Sequence, residues 1–167
     1  GGNMKKLLVA AIISLSSVTT AALAEVKVGI ILGFTGPIES LTPAMRDGAR
    51  LAFDEASNSG NLLGGETITI LEADSTCVDS AAATAAAEQL VADGVSAIMG
   101  ADCSGVTGAI NANVAVPNGV LMVSPSATSP GLSKVPDNGT FWRTAPSDAR
   151  GGQVLAKLAL SRGIESI

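Results

Sequence analysis

The sequence predicts an α/β fold built on a doubly wound, mostly parallel sheet. Three observations carry this. Short apolar runs rich in β-branched residues recur along the chain, helical patterns separate them, and glycine, proline or asparagine marks each change of period. Strands joined through helices must run parallel, because a parallel pair needs a long crossover. In such sheets a ligand sits beyond the carboxyl ends of the strands, where the strand order reverses.

The 167-residue chain opens with a segment of a different kind. After Gly1 to Asn3 come Met4, the cations Lys5 and Lys6, an apolar run from Leu7 to Ile13, and small residues ending Ala22-Leu23-Ala24. That is the order of a secretory signal, spanning residues 4–24 with cleavage after Ala24. A membrane anchor is the alternative, but it needs about 20 predominantly apolar residues, and Ser14, Ser16, Ser17, Thr19 and Thr20 follow the run here. The expected product is residues 25–167, exported to the periplasm.

Val26 to Gly33, VKVGIILG, is nearly continuous in apolar residues and suits a strand buried on both faces. Phe34-Thr35-Gly36-Pro37 is a turn. A helix follows over Pro43 to Asn58, where Met45, Ala49, Ala52, Phe53 and Ala56 recur at three- and four-residue spacing, Pro43 fits the first turn and Gly60 lies past the end. Thr67 to Ala73 is a second strand. Asp79 to Ala92 reads as an alanine-rich helix with Ala83, Ala86, Ala87, Leu90 and Val91 as its buried stripe; low-complexity sequence is the alternative, and the embedded period favours the helix. Val95 to Gly100 is strand three, Ser104 to about Val116 a weaker helix, Pro117-Asn118-Gly119 a turn, and Val120 to Val123 strand four. A loop rich in Ser, Pro and Gly over Ser124 to Gly139 leads to a short fifth strand at Thr140 to Thr144 and a helix over Asp148 to Arg162.

Composition removes several functions. Subtracting Lys5 and Lys6 from 10 Lys and Arg leaves 8, against 15 Asp and Glu, a net charge of −7 for the exported product. No basic cluster exists, so nucleic acid is not an expected partner. The sequence has no His, which removes Ser-His-Asp and Cys-His pairs and imidazole metal sites. Neither dinucleotide nor phosphate-loop glycine spacing follows the first strand, and no cofactor is expected. A nucleophile elbow needs G-x-S-x-G, whereas Asp102 stands two residues before Ser104. An exported hydrolase on Ser104 or Cys103 therefore ranks last among the readings.

What remains is the chemistry of the loops after strands one, three and four: Gly33 to Thr42, Ala101 to Gly105, and Ser124 to Pro130. A helix starting near Ser104 presents unpaired N–H groups and a positive dipole end to an anion such as a carboxylate, and Ser104 adds a hydroxyl. The competing reading makes Ser104 only an N-cap. Ser124, Ser126, Thr128 and Ser129 supply four hydroxyls, able to donate to a carboxylate or, with carbonyls, to accept from an ammonium. Together the two loops suit a zwitterion; the competing reading of the second is an ordinary turn. Cys77 and Cys103 both fall on this edge, and in an exported domain two cysteines pair, closing a loop worth about 3 to 4 kcal/mol. Two unpaired buried thiols are the alternative.

Read together, VKVGIILGFTGP (Val26 to Pro37), PAMRDGARLAFDEAS (Pro43 to Ser57), GADCSGVT (Gly100 to Thr107), VSPSATSP (Val123 to Pro130) and FWRTAPSD (Phe141 to Asp148) resemble the first lobe of a type I periplasmic solute-binding protein, the extracytoplasmic receptor of an ABC importer. The resemblance is to the leucine/isoleucine/valine-binding group and covers nearly all of residues 25–167. It implies that Ser104 binds an amino-acid carboxylate, that the loop of Ser126, Ala127 and Thr128 contacts carboxylate and ammonium through a backbone carbonyl and the threonine hydroxyl, and that Cys77 and Cys103 form a family disulfide. Leu41 falls near an aromatic wall position of leucine-binding relatives, a departure that bears on side-chain preference. The first crossover between lobes falls near Thr144 to Asp148, so residues 25–145 form the ligand-binding lobe and 146–167 the stub of a second. The chain is then expected to be part of a longer, two-lobed protein, with half a cleft and weak affinity by itself. The implied ligand is an amino acid, the implied partner an inner-membrane permease, and no catalysis is implied. A sensor domain for amino acids or amides on the same scaffold is the runner-up.

Overall fold

The computed structural model describes residues 25–164 and 166. The expected signal segment and the tripeptide before it lie outside the described residues. Five strands, β1 (Val26–Leu32), β2 (Ile68–Asp74), β3 (Ala97–Gly100), β4 (Leu121–Ser124) and β5 (Phe141–Arg143), form one sheet in the order β2-β1-β3-β4-β5. Every neighbouring pair is parallel. The order reverses between β1 and β3, which makes their carboxyl ends the switch point.

Register brings the strand ends level. Leu32 lies opposite Asp74, and Ile31 opposite Gly100. Met99 pairs with Val123, and Ser124 with Arg143. The segments starting at Gly33, Ser75, Ala101 and Pro125 therefore leave the sheet side by side, and the loops singled out in the sequence share one rim.

Helix α2 (Ser80–Ala92) and the helical run from α3 (Ser104–Ile110) through a π-helical segment (Asn111–Ala115) to α4 (Val116–Asn118) pack on one face of the sheet. Asp79 caps α2 by accepting from the N–H groups of Ala81 and Ala82. Alanines give α2 a flat surface, and Ala83, Ala87 and Leu90 are buried against Ile31, Ile98, Val106 and Ile110. Ala86 and Val91, the other members of the expected stripe, are partly buried at its border.

Two boundaries differ from the sequence reading by more than one residue. Pro117 does not make a turn: the helix runs to Asn118, because the π-helical segment resets the hydrogen-bond ladder and Pro117 falls in the first turn of α4, where no N–H is needed. Gly119, at φ +65°, then ends it in the left-handed region. Strand three begins at Ala97 and not Val95, because the Val95 N–H is held by the Leu90 carbonyl at the end of α2.

The opposite face carries helix α1 (Thr42–Asn58), which lies over β1 and β2. Its expected stripe is less covered than the sequence suggests: Met45, Ala49, Phe53 and Ala56 are half-buried and Ala52 is exposed. One helix leaves part of that face open, and an apolar groove of about 290 Å³ runs between α1 and the sheet, lined by Val28, Ala49, Phe53, Ile98, Met99 and Val123. Helix α5 (Asp148–Ser161) has no buried residue and exposes Val154, Leu155, Leu158 and Leu160.

Cys77 and Cys103 are disulfide-bonded with Cα atoms 5.2 Å apart, tying the loop after β2 to the start of α3. Replacing both with serine is expected to lower the unfolding free energy by about 3 to 4 kcal/mol in urea titrations. A loss below about 1 kcal/mol would mean that the loops hold together without the cross-link.

Candidate functional site

The rim is assembled around Asp102, only 3% exposed, in the segment between β3 and α3. One carboxyl oxygen accepts the Gly33 N–H at 2.7 Å. The other accepts the Cys103 N–H at 2.9 Å and the Ser75 hydroxyl at 3.3 Å. The residues following β1, β2 and β3 are thus joined at one side chain. Above it, Thr35 donates its hydroxyl and N–H to Asp74, and the Thr76 N–H joins them. Burial raises the Asp74 pKa, but the hydrogen bonds from Thr35, Thr76 and Phe34 outweigh it and hold the carboxyl below the usual range. Gly36, at φ +102°, lets this loop lie on its neighbour; a Cβ there would stand 2.5 Å from the Thr76 carbonyl oxygen.

Cys103 occupies the N-cap position of α3, and its side chain makes no capping bond. Ser104 is the first helical residue, which corrects the reading of it as an N-cap. Its Oγ accepts the Ser129 N–H at 3.0 Å, joining the two loops expected to share a ligand. The earliest helical N–H with a partner behind it is that of Thr107, bonded to the Cys103 carbonyl. The N–H groups of Ser104, Gly105 and Val106 open the helix without intrahelical partners, as at any helix start.

The loop after β4 is less rich in available donors than its hydroxyl count suggests. Ser124 is buried and donates to the Ala101 carbonyl while accepting the Ala127 N–H. Ser126 donates to the Asp102 carbonyl at 3.0 Å. Ser129 caps the short helical turn Pro130–Ser133. Ala127 is fully buried with both backbone groups engaged, its carbonyl accepting from Arg143 at 3.0 Å. Arg143 also bonds the Ser129 carbonyl and the Ser133 hydroxyl, so β5 braces the loop from beneath. Thr128 donates its hydroxyl to Asp148 at 2.8 Å.

Leu41 sits at the N-terminal boundary of α1 and is 57% exposed. Four residues on, and so on the same helix face, Met45 brings its sulfur within 3.9 Å of the Ser126 hydroxyl. The structure thus gathers Ser104, Ser126 and Thr128 with the disulfide along one rim, with Leu41 one helical turn away from it. Asp102, Arg143, Asp148 and Met45 were not singled out by sequence reasoning. Asp102 had served only to argue against a nucleophile elbow, and Met45 only as part of a packing stripe.

The chain is an α/β domain whose loops meet at one level sheet edge beside an open helix start, the place where such sheets take ligands. The chain belongs to the periplasmic binding protein family, whose model matches residues 25–167. Among curated proteins it is 32% identical over 155 residues to the Leu/Ile/Val-binding protein BraC3 of Rhizobium johnstonii, covering 93% of this chain and 41% of the relative. It is 30% identical to the leucine-specific-binding protein of Salmonella typhimurium, with the same coverage of 93% and 41%. The chain thus spans about two fifths of the length of the curated relatives it matches. Among solved structures, the substrate-binding protein LivJ of Streptococcus pneumoniae in complex with isoleucine superposes with a TM-score of 0.67 at 32% identity, over 75% of this chain and 35% of that one. The leucine-binding protein LivK of Thermotoga maritima gives 0.68 at 28% identity, over 80% and 36%.

Asp102→Ala is expected to cost about 2 to 3 kcal/mol, because the buried Gly33 N–H loses a charge-capable acceptor. Urea unfolding measures it, and a cost under about 0.5 kcal/mol would show that the strand ends do not depend on this side chain.

Proposed function

We propose that the chain supplies the first lobe of an extracytoplasmic receptor for an ABC importer, which holds an aliphatic amino acid between two lobes and passes it to a permease in the inner membrane. The observation that carries this is the pairing of the open α3 start at Ser104 with the Ser126 to Thr128 loop. One offers N–H donors and a positive dipole end, the other carbonyl and hydroxyl oxygens, which matches the two charges of an amino-acid head group. The names of the relatives, Leu/Ile/Val-binding and leucine-specific, support a branched aliphatic side chain, and Met45 beside the Ser126 hydroxyl and exposed Leu41 one helical turn before it are the candidates for touching it. Binding and release, without catalysis, is the whole activity in this reading, and the periplasm is its place.

The same reading divides the described residues into a lobe ending near Ala145 and the beginning of a second from Pro146. Support comes from α5, whose apolar residues Val154, Leu155, Leu158 and Leu160 are exposed among the described residues, and from the relatives being more than twice as long.

In the full-length protein, L-leucine at about 100 times its dissociation constant is expected to add about 2.7 kcal/mol of stability, seen as a raised melting temperature. The double substitution Ser104→Ala with Thr128→Ala is expected to weaken binding about a hundredfold, since each hydroxyl meets a charged group. Undiminished affinity in that variant would reject the site.

A further inference from the structure

Residues 34–41 cross the rim between β1 and α1 and end at Leu41, yet a single side chain ties them to it. Gly33, just past β1, is held by Asp102. Beyond it, among the described residues, every hydrogen bond from this loop to another strand or its loop ends on Asp74, the last residue of β2. Thr35 donates its hydroxyl to one carboxyl oxygen at 2.5 Å and its N–H to the other at 3.3 Å. The remaining bonds are local: the Phe34 N–H to the Leu32 carbonyl, that of Glu39 to Gly36, and that of Leu41 to Ile38. Packing adds little, because Phe34 and Ile38 are half-buried and the other residues of the loop are exposed.

Asp74 also holds the ledge on which the loop lies. Its Oδ1 accepts the Thr76 N–H at 2.8 Å. Thr76 stands at φ +57°, a left-handed conformation that a branched side chain rarely adopts, and its hydroxyl accepts the Asp79 N–H. Its carbonyl oxygen then lies so close to Gly36 that a Cβ there would stand 2.5 Å away. An ionised carboxylate can only accept, and the groups it faces here are donors. From Thr35 the loop runs on to Leu41. The Thr42 hydroxyl, donating to the Glu39 carbonyl, joins it to the first turn of α1, which leads to Met45 beside the Ser126 hydroxyl.

We infer that Asp74 is a positioning residue for the Phe34 to Leu41 loop: by fixing that loop on the rim it places the apolar groups that meet the ligand's side chain, and so sets which side chain the cleft prefers. Asp74 acts through Thr35 and Thr76, and no contact with the ligand is required of it. The head group is received elsewhere, at the start of α3 and the loop after β4. Loosening the Phe34 to Leu41 loop therefore changes the preference among amino acids more than the affinity for the part they share. An amide at position 74 would turn its N–H groups toward a donor on one side and release part of the tie. The inference rests on the amino-acid-binding reading above and adds to it the residue that places the side-chain end of the site.

The test compares L-leucine with L-alanine, which has the same head group and lacks the isopropyl group, on the full-length protein. Leucine is followed by calorimetric titration and alanine by displacement of labelled leucine. Asp74→Asn is expected to bind L-leucine about tenfold more weakly while the affinity for L-alanine changes less than about twofold, so the ratio of the two falls. Thr35→Val, a change at an exposed residue that removes the hydroxyl and keeps the shape, is expected to lower the same ratio about threefold. The double variant is expected to go no further than Asp74→Asn, because both changes cut one tie. Equal weakening of both ligands, an unchanged ratio in Asp74→Asn, or effects that multiply in the double variant would each overturn the assignment. Should Asp74→Asn fail to fold, Thr35→Val decides, and an unchanged ratio there overturns it. Failure of the wild-type protein to bind L-leucine would reject the amino-acid reading itself, a different result from any of these.

Discussion

The rim depends on one buried carboxyl group. Parallel strands end in loops that have no reason of their own to stay together, since each leads away into its own helix. Asp102 supplies the reason by accepting from Gly33, Ser75 and Cys103, which follow three different strands. Its backbone carbonyl then takes the Ser126 hydroxyl, extending the same hub to the loop after β4. The disulfide between Cys77 and Cys103 repeats part of this connection covalently, one residue from the hub. Ser104 follows directly on Cys103, so the start of α3 is held from behind by both.

That arrangement explains why the site is open yet defined. Polar groups that would otherwise compete for a ligand are satisfied within the protein. Ser124 holds Ala101 and Ala127, Ser129 caps a turn, and Arg143 takes two carbonyls. What is left is a short set of unspent groups, the N–H groups at the start of α3 and the Ser126 carbonyl among them, that includes both donors and acceptors. A zwitterion fits such a set better than a molecule with one kind of polar group, because each unspent donor or acceptor then meets its complement. The apolar groove under α1 has no comparable polarity.

Much of this was legible in the sequence because the fold is written in periodicity. The run VKVGIILG became β1, ending at Leu32, with Val28 to Leu32 buried as expected of a strand covered on both faces, and alanine at Ala83 and Ala87 did mark the face of α2 that meets the sheet. The rim was legible because strand ends in a parallel sheet lie at one edge, which puts the loops of Ser104 and of Ser126 to Thr128 side by side. Less legible was anything that depends on which partner a polar group chooses. Pro117 reads as a helix stop until the π-helical segment before it is seen. Asp102 and Asp148 are single acidic residues in loops, and nothing in their spacing tells a buried hub or a tie to Thr128 from a solvated side chain. Ala52 was assigned to a covered face that α1 alone does not cover.

The central claim is that a ligand's head group is held at the rim, between the start of α3 and the Ser126 to Thr128 loop. Mapping of backbone amide shifts in the full-length, nitrogen-15-labelled protein during titration with L-leucine tests it most directly. The account predicts the largest changes at the amides of Ser104, Gly105 and Val106 and in Ser126 to Ser129, with those of Ala49, Phe53 and Met99 little affected. Changes centred instead on Ala49, Phe53 and Met99, around the apolar groove, with the α3 start silent, would contradict it.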